Sequence, residues 1–359
     1  FMIFGDMIGN NQLFTSVSLN GEIYDFGAQV GFLNQKHKIK WGASISHTPY
    51  RFSFFDAKLD TISVDGDPML VQNLMLYNHR TFESQMSLFA WYPFSTTRRL
   101  EFSSTLALYY FRTDVINNYY QGQFRIGQSR ERRPSEPGFD LHRISLAYVG
   151  DNSYFGMASP MMGHRFRIQA EQFFGQVQML SATVDFRQYF RLKPVTLAGR
   201  LSHFGRYGKN AENNLFHDYF LGFPWFVRGY SSRRLNDLDM FREDDSLFYN
   251  LVGSKIALAS FEVRLPLTGV ERLAVIPTGF LFTELALFAD AGLAWTSNNL
   301  PTLNPALMKS GRRFPVFSTG MSLRINLFGA MILEPYYAFP FIHQGITQGV
   351  WGLNFLPGW

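Results

Sequence analysis

Few residues in this sequence have the type and spacing to do chemistry. Cys is absent from all 359 positions, so a disulfide scaffold and a Cys-ligated zinc or iron–sulfur site are excluded. The eight His are scattered. His37 and His47 fall near strand ends, and His79, His142, His164, His203 and His217 lie far apart. None forms the His-x-x-x-His pair of a metal site. Ser202-His203 is an adjacent pair, but neighbours on a strand point to opposite faces, which makes a poor hydrolytic dyad. No Gly-rich phosphate loop is present. No catalytic residue, metal or cofactor is therefore expected. What remains is charge, 33 Lys and Arg against 28 Asp and Glu, within which Arg228, Glu262 and Asp290 belong to an ordered set of motifs. Arg228 sits in Phe223-Pro224-Trp225-Phe226-Val227-Arg228-Gly229-Tyr230, and Glu262 and Asp290 follow it. A guanidinium can bridge a carboxylate with two parallel hydrogen bonds, which is the contact this set of residues could make. The plain alternative is that Arg228 lies on an exposed loop and both acids are ordinary polar residues.

The elements that must position these residues read as strands. Period-two alternation puts successive side chains on opposite faces. Tyr24, Phe26, Ala28, Val30 and Phe32 oppose Asp25, Gly27, Gln29 and Gly31. Leu180, Ala182, Val184, Phe186 and Phe190 oppose Ser181, Thr183, Asp185, Arg187 and Arg191. Residues 38–46 and 316–327 repeat the pattern. The alternation predicts fifteen strands: 1–6, 10–20, 24–34, 37–50, 77–93, 98–112, 139–149, 163–174, 178–191, 194–205, 255–267, 281–295, 315–327, 330–340 and 347–357. Short turns such as Asn20-Gly21-Glu22 and Phe328-Gly329 alternate with long polar loops at 51–76, 113–138, 206–254 and 296–314. The link at 150–162 is long where a short turn is expected.

One face of each strand is large and apolar, and the other is Gly, Ser, Thr and charge. Helix-period segments are almost absent. That combination suits a closed barrel with lipid outside and water inside, which also leaves no sheet edge to cover. Composition agrees. Charged residues are 17%, against roughly 25% in soluble domains, and aromatics reach 17%. Mean hydropathy is −0.08, and no stretch approaches the roughly 18 apolar residues of a spanning helix. Intrinsic disorder is excluded by the aromatic content. Net charge is +5, but the positive charges are scattered, so nucleic acid is not an expected partner. Arg130-Glu131-Arg132-Arg133 reads as a solvated loop. The chain opens Phe-Met-Ile-Phe inside an apolar run, so a further N-terminal part, including one strand, is expected upstream.

The residues after Arg228 form an ordered set. The strand at 255–267 carries Glu262-Val-Arg264-Leu-Pro266-Leu267. The next carries Phe288-Ala-Asp290-Ala-Gly292, followed by Gly320-Met-Ser-Leu-Arg324-Ile-Asn326 and Glu334-Pro-Tyr-Tyr. This order resembles the BamA-type outer-membrane assembly and translocation barrels, the bacterial surface antigen superfamily. The likeness is strong over about 220–359 and architectural before it; Ser159-Pro160-Met-Met-Gly163 also resembles a mid-barrel turn of the family. The resemblance implies an all-β transmembrane antiparallel barrel of about 16 strands, a single domain over 1–359, with an extracellular loop folded into the lumen. It implies a loop lock at Val227, Arg228, Gly229 and Tyr230, with Asp290 as first acidic partner and Glu262 as second. Arg264, Pro266, Phe288 and Gly292 complete the motifs, and Trp351, Gly352 and Phe355 fall on the last strand, at the lateral seam.

Three readings follow. In the first, the barrel inserts or translocates extended client polypeptides by opening its seam and pairing strands with them. In the second, it is an accessory barrel that anchors a soluble domain or partner lipoproteins. The periplasmic domains that usually precede such barrels are not among these residues, and what lies upstream of Phe1 discriminates the two. The third is an enzyme, which lacks a rim dyad, or a passive pore, which gives no reason for an inward loop lock although the loop could plug it. Outer-membrane lipid and lipopolysaccharide are partners in each.

Overall fold

The alternation becomes strand along most of the chain. A computed structural model describes residues 1–19, 21–64, 67–213, 216–230, 246–304, 312–329, 331–342, 345–346 and 349–357. The strands are β1 (Met2–Gly5), β2 (Asn11–Leu19), β3 (Phe26–Asn34), β4 (Lys40–Val64), β5 (Asp67–Ser95), β6 (Arg98–Gln121) and β7 (Phe124–Arg133). Next come β8 (Phe139–Asp151), β9 (Tyr154–Phe155), β10 (Pro160–Gly175), β11 (Met179–Leu192), β12 (Val195–Tyr207), β13 (Tyr219–Phe220) and β14 (Val252–Gly253). The last are β15 (Lys255–Gly269), β16 (Ile276–Pro277), β17 (Phe282–Trp295), β18 (Val316–Leu327), β19 (Met331–Ile342), β20 (Gly345–Ile346) and β21 (Val350–Pro357). Each of the fifteen expected strands has a counterpart.

Packing divides the chain into two compact units. The first holds Phe1–Tyr92, Glu101–Ser145 and Phe173–Val177. In it β1 to β5 pair antiparallel in chain order, and β7 folds back on β6. The second holds Pro93–Leu100, Leu146–Gln172 and Gln178–Trp359. There β11, β12, β15, β17, β18, β19 and β21 pair antiparallel, each with the next.

Two expected loops are strands instead. Residues 51–76 continue β4 and β5 as one hairpin, paired without a break from Arg51↔Arg80 to Val64↔Asp67. Residues 113–133 are the end of β6 and all of β7, so Arg130-Glu131-Arg132-Arg133 lies on a strand. Alternation marks a strand only where its two faces meet different surroundings. In these hairpins adjacent apolar side chains such as Phe54 and Phe55 break the pattern, although side chains do meet across the strands, as Phe54 stacks on Tyr77 at 4.8 Å. The long link at 150–162 also resolves: β9 folds back on β10, and Gly156 N–H donates to Ser159 O at 2.8 Å.

The sequence left open which face is covered. The structure answers it with an inversion of the soluble pattern. On β15, Glu262 is 6% exposed while Phe261 is 50% exposed. On β17, β18 and β19 the buried residues include Asp290, Arg324 and Glu334, while Leu287, Phe317 and Met321 face outward. Burial of the charged face and exposure of the apolar face is the arrangement of a sheet in lipid.

Candidate functional site

The covered polar face of β15, β17, β18 and β19 receives the chain segment around Arg228. Its turn is set by backbone: Phe226 N–H donates to Phe223 O at 2.8 Å, and Val227 N–H to Leu221 O at 3.2 Å. Val227 is fully buried in a cluster with Leu221, Tyr230, Leu251, Ile256, Leu258, Ala294 and Val316. This apolar anchor places the next side chain. Gly229 has φ +95, a left-handed conformation that favours glycine, and a Cβ there would lie 3.1 Å from Ala338 Cβ. Tyr230 Oη then donates to Phe317 O at 2.7 Å and Phe341 O at 2.8 Å, tying the segment to β18 and β19.

Arg228 is clamped from several sides. Its Nε donates to Asp290 Oδ2 at 2.7 Å and its Nη2 to Asp290 Oδ1 at 2.8 Å, a bidentate pair. Nη2 also lies 2.9 Å from Glu262 Oε1, and Nη1 lies 3.4 Å from Glu334 Oε1. The guanidinium carbon stands 3.6 Å from the centre of the Phe288 ring. Asp290 accepts a further hydrogen bond from Ser260 Oγ at 2.6 Å. The structure thus brings Arg228, Asp290 and Glu262 together, with Asp290 in the closer geometry.

Strand register explains the spacing of the motif. Phe288, Asp290 and Gly292 share one face of β17 because they are two apart. Phe288 supports the guanidinium, Asp290 grips it, and Gly292 leaves room for Val227. A Cβ on Gly292 would lie 2.6 Å from Val227 Cγ2. Across the sheet Phe288 is opposite Gly320, whose missing side chain makes room for the ring. Pro266 sits where β15 slips register against β17, a position that dispenses with one ladder N–H.

The network extends beyond the expected residues. Glu262 also accepts from Arg264 Nε at 2.7 Å and from Arg324 Nη2 at 2.9 Å. Arg324 Nη1 donates to Glu284 Oε1 at 3.2 Å, and its Nε to Glu334 Oε1 at 3.1 Å. Asn354 Nδ2 on β21 donates to Glu334 Oε2 at 3.2 Å. The turn before β10 enters the same network: Ser159 Oγ donates to Glu284 at 2.6 Å, and Arg264 Nη1 to Pro160 O at 3.2 Å. Three guanidiniums thus face four carboxylates. All are buried, so each depends on its partners for what water would otherwise supply. Arg324, Glu284, Glu334 and Ser159 were visible on polar strand faces or in the turn. Nothing in their spacing showed that they converge.

A cavity of about 300 Å³ beside the segment is lined by Arg187, Arg200, Trp225, Arg228 and Asp290 among others. Arg200 Nη1 donates to Trp225 O at 2.9 Å, and Arg200 and Arg187 both pair with Asp185. At the other end of the loop, Glu212 accepts from Ser297 N–H at 2.6 Å and Ser254 Oγ at 2.8 Å, with Lys255 Nζ at 3.4 Å. Burial acts to raise the Glu212 carboxyl, but these donors outweigh it and hold it below the usual range.

Other expected residues stay apart from this site. Trp351 and Phe355 point outward from β21, with Trp351 4.9 Å from the Tyr337 ring. Gly352 lies under the Tyr336 ring, where a Cβ would clash. Ser202 and His203 diverge: Ser202 Oγ donates to Asp185, while His203 Nε2 lies 2.6 Å from Tyr207 Oη. Among the described residues no three His, Cys, Asp or Glu are placed to hold a metal ion.

The first unit has a polar cluster that the sequence did not announce. Arg80 is buried and donates to Asp25, Asp114 and Glu22 at 2.7–2.9 Å. Arg130, read as solvated, reaches Glu22 at 2.8 Å. Burial pushes the Asp25 carboxyl up, but Arg80 and Arg51 outweigh it and hold it below the usual carboxylate range.

Comparison with known proteins fits this geometry. Residues 11–356 match the Omp85 superfamily domain. No curated protein sequence matches the chain. Among solved structures, BamA from Haemophilus ducreyi lacking POTRA domains 1–3 superposes with a TM-score of 0.52 at 13% identity, covering 96% of this chain and 69% of that one. CdiB from Acinetobacter baumannii superposes with a TM-score of 0.51 at 14% identity, covering 99% of this chain and 55% of that one. At such identities the likeness is one of fold. The match over nearly the whole sequence establishes more: the chain is an outer-membrane β-barrel and belongs to the Omp85 superfamily.

Proposed function

We propose that this chain forms a single barrel domain that inserts polypeptides into the outer membrane or translocates them across it. The observation that carries the reading is the loop segment Val227–Tyr230 seated on the polar face by Arg228, Asp290, Glu262 and Glu334. A plain anchor has no need to hold a loop arginine inside its wall at the cost of burying four carboxylates. The proposed work is mechanical and needs no catalytic residue or cofactor. The seam between first and last strands opens, and an extended client strand pairs with the exposed backbone. The last strand suits such opening. β21 has only eight residues, so a partner on its outer edge forms few ladder bonds. Trp351 and Phe355 on its outer face meet lipid, and Gly352 keeps its inner face thin beneath Tyr336.

The test uses the full-length protein. A disulfide engineered between first and last strands has no native Cys in this chain to compete with it. The expected result is loss of client proteins from the outer membrane under oxidation and recovery with reductant. A broad loss marks insertion, and loss of one or a few surface proteins marks dedicated translocation. An unchanged outer-membrane proteome with a fully formed disulfide would overturn the reading and favour the anchoring role.

A further inference from the structure

The hairpin of β4 and β5 outgrows its neighbour. β3 pairs with β4 only from Ala28↔His47 to Asn34↔Trp41. From Arg51 to Ser63, β4 is paired with β5 alone among the described residues. Its other backbone edge has no strand partner among the described residues over these thirteen positions, with no bulge in the register and no proline to blunt it. Ala57 N–H and Thr61 N–H donate to Asp56 Oδ1 at 2.8 Å and Asp60 Oδ1 at 3.0 Å, local contacts that a partner strand must compete with. Phe52, Phe55 and Leu59 on it are 67–71% exposed. Long, flat edges are templates for another strand, and the charges on this one, Asp56, Lys58 and Asp60, restrict pairing to a strand that presents complementary charge.

The sequence of the edge specifies which strand. We propose that it pairs with the same edge of a second copy of this chain, antiparallel and centred on Ala57. In that register residue i faces residue 114 − i of the other copy, and both side chains lie on one face of the sheet. Asp56 then meets Lys58, Phe55 meets Leu59, Phe52 meets Ile62, and Ser53 meets Thr61, each pair occurring twice. In these four pairs acid faces base, apolar faces apolar and hydroxyl faces hydroxyl; Arg51 against Ser63 is neutral, and Phe54 against Asp60 is the one mismatch. Shifting the centre by one residue destroys the match. Centring on Lys58 sets it against its own copy and Asp56 against Asp60; centring on Asp56 sets that acid against itself. Such a two-fold contact is isologous and closes at two chains, so it gives a dimer rather than a fibre. Lys58 Nζ now lies 3.3 Å from Asp60 Oδ2, with the two side chains 50% and 36% exposed, and Asp60 keeps its contacts with Thr61 N–H and Asn73 Nδ2 if Lys58 leaves. That exposed pair is weak enough to exchange for Asp56 of the partner. Antiparallel pairing joins hairpins that run in opposite directions, as they do on two membrane surfaces facing each other. The proposal is independent of the transport reading.

Absence of native Cys gives a clean test on the full chain in detergent micelles. Cα atoms directly opposite across an antiparallel pair are about 4.5–5.5 Å apart, within disulfide range. Ala57→Cys is expected to yield a disulfide-linked dimer on mild oxidation. Ser53→Cys is not, because its two copies sit eight positions apart along the strands, roughly 27 Å. Asp56→Lys sets like charges opposite and is expected to weaken dimerisation about tenfold in sedimentation. Adding Lys58→Asp to Asp56→Lys restores the opposite pairing and is expected to restore the dimer. A foreign partner strand would not be rescued by that exchange. A monomer at tens of micromolar, equal cross-linking at positions 53 and 57, or failure of the exchanged pair to recover would each overturn the proposal. Heat-modified electrophoretic mobility checks that every variant is folded.

Discussion

Arg228 and Phe288 stand face to face, the guanidinium carbon 3.6 Å from the ring centre, while the same guanidinium grips Asp290 edge-on at 2.7 and 2.8 Å. A planar cation can satisfy both contacts at once because its face and its edge are chemically different. Lysine has no such edge. Arg228→Ala leaves Asp290, Glu262 and Glu334 without this cation on a covered face, and is expected to cost about 3–5 kcal/mol of loop docking. Arg228→Lys keeps the charge, loses the bidentate fork, and should fall between. Urea titration of heat-modifiable mobility, with protease cleavage of the 206–254 loop as a second readout, checks the order. Equal resistance of all three proteins would remove the lock from this account.

Val227 and Gly292 should behave as one packing unit. Gly292→Ala places a methyl 2.6 Å from Val227 Cγ2 and is expected to destabilise by about 1–3 kcal/mol through overpacking. Val227→Ala opens a void in the same cluster and is also destabilising. Together they should cost less than their sum, with a coupling of about 0.5–3 kcal/mol. Strict additivity in a double-mutant cycle would show that Gly292 serves some purpose other than room for Val227.

How far the sequence carried this picture depends on what lipid does to a strand. In β15 and β17 lipid outside and charge inside impose a strict period of two, so Phe261 against Glu262 and Leu287 against Asp290 could be read directly. Residues 51–64 and 113–133 lack that contrast, and the same backbone there looked like loop. Arg228 with Asp290 was legible because motif order singled them out. Glu334, 106 positions after Arg228, was not, because its place depends on the registers of three intervening strand pairs. The Arg80 cluster was invisible for a related reason: Glu22 and Asp25 share the connection before β3, but Arg80 on β5 and Asp114 on β6 lie far from it in sequence, and no local pattern links them.

Glu212 gives the loop a dependence on acid. Its folded-state value is held below that of an unfolded glutamate, about 4.3. A depressed carboxyl contributes stability that is fully present above the unfolded value and is lost as pH falls through the folded one. Loop protection against protease is therefore expected to decline below about pH 4 more steeply in the native protein than in Glu212→Gln. Other acids titrate in the same range, so the informative quantity is the difference between the two curves. Parallel curves would mean that the Ser297, Ser254 and Lys255 contacts do not govern the loop.

Ser159 approaches the charged network from the turn before β10, while Arg228 approaches it from the long loop. Ser159 Oγ donates to Glu284 at 2.6 Å, Glu284 accepts from Arg324, Arg324 donates to Glu262, and Glu262 pairs with Arg228. Two connections far apart in sequence thus hold opposite ends of one chain of charges. Met157 O accepts from Asn326 Nδ2 and Pro160 O from Arg264, so the turn is fastened to β15, β17 and β18 together. Ser159→Ala removes one donor from a buried carboxylate and is expected to cost about 1.5–3 kcal/mol, whereas Ser159→Thr keeps the hydroxyl and should cost less. The informative variant combines Ser159→Ala with Arg228→Ala. If charge transmits between the two connections, Arg324 and Glu262 rearrange once the first contact is lost, and the second loss is smaller by about 0.5–3 kcal/mol. Additive losses would mean that the turn and the loop are fastened separately, each by its own acids.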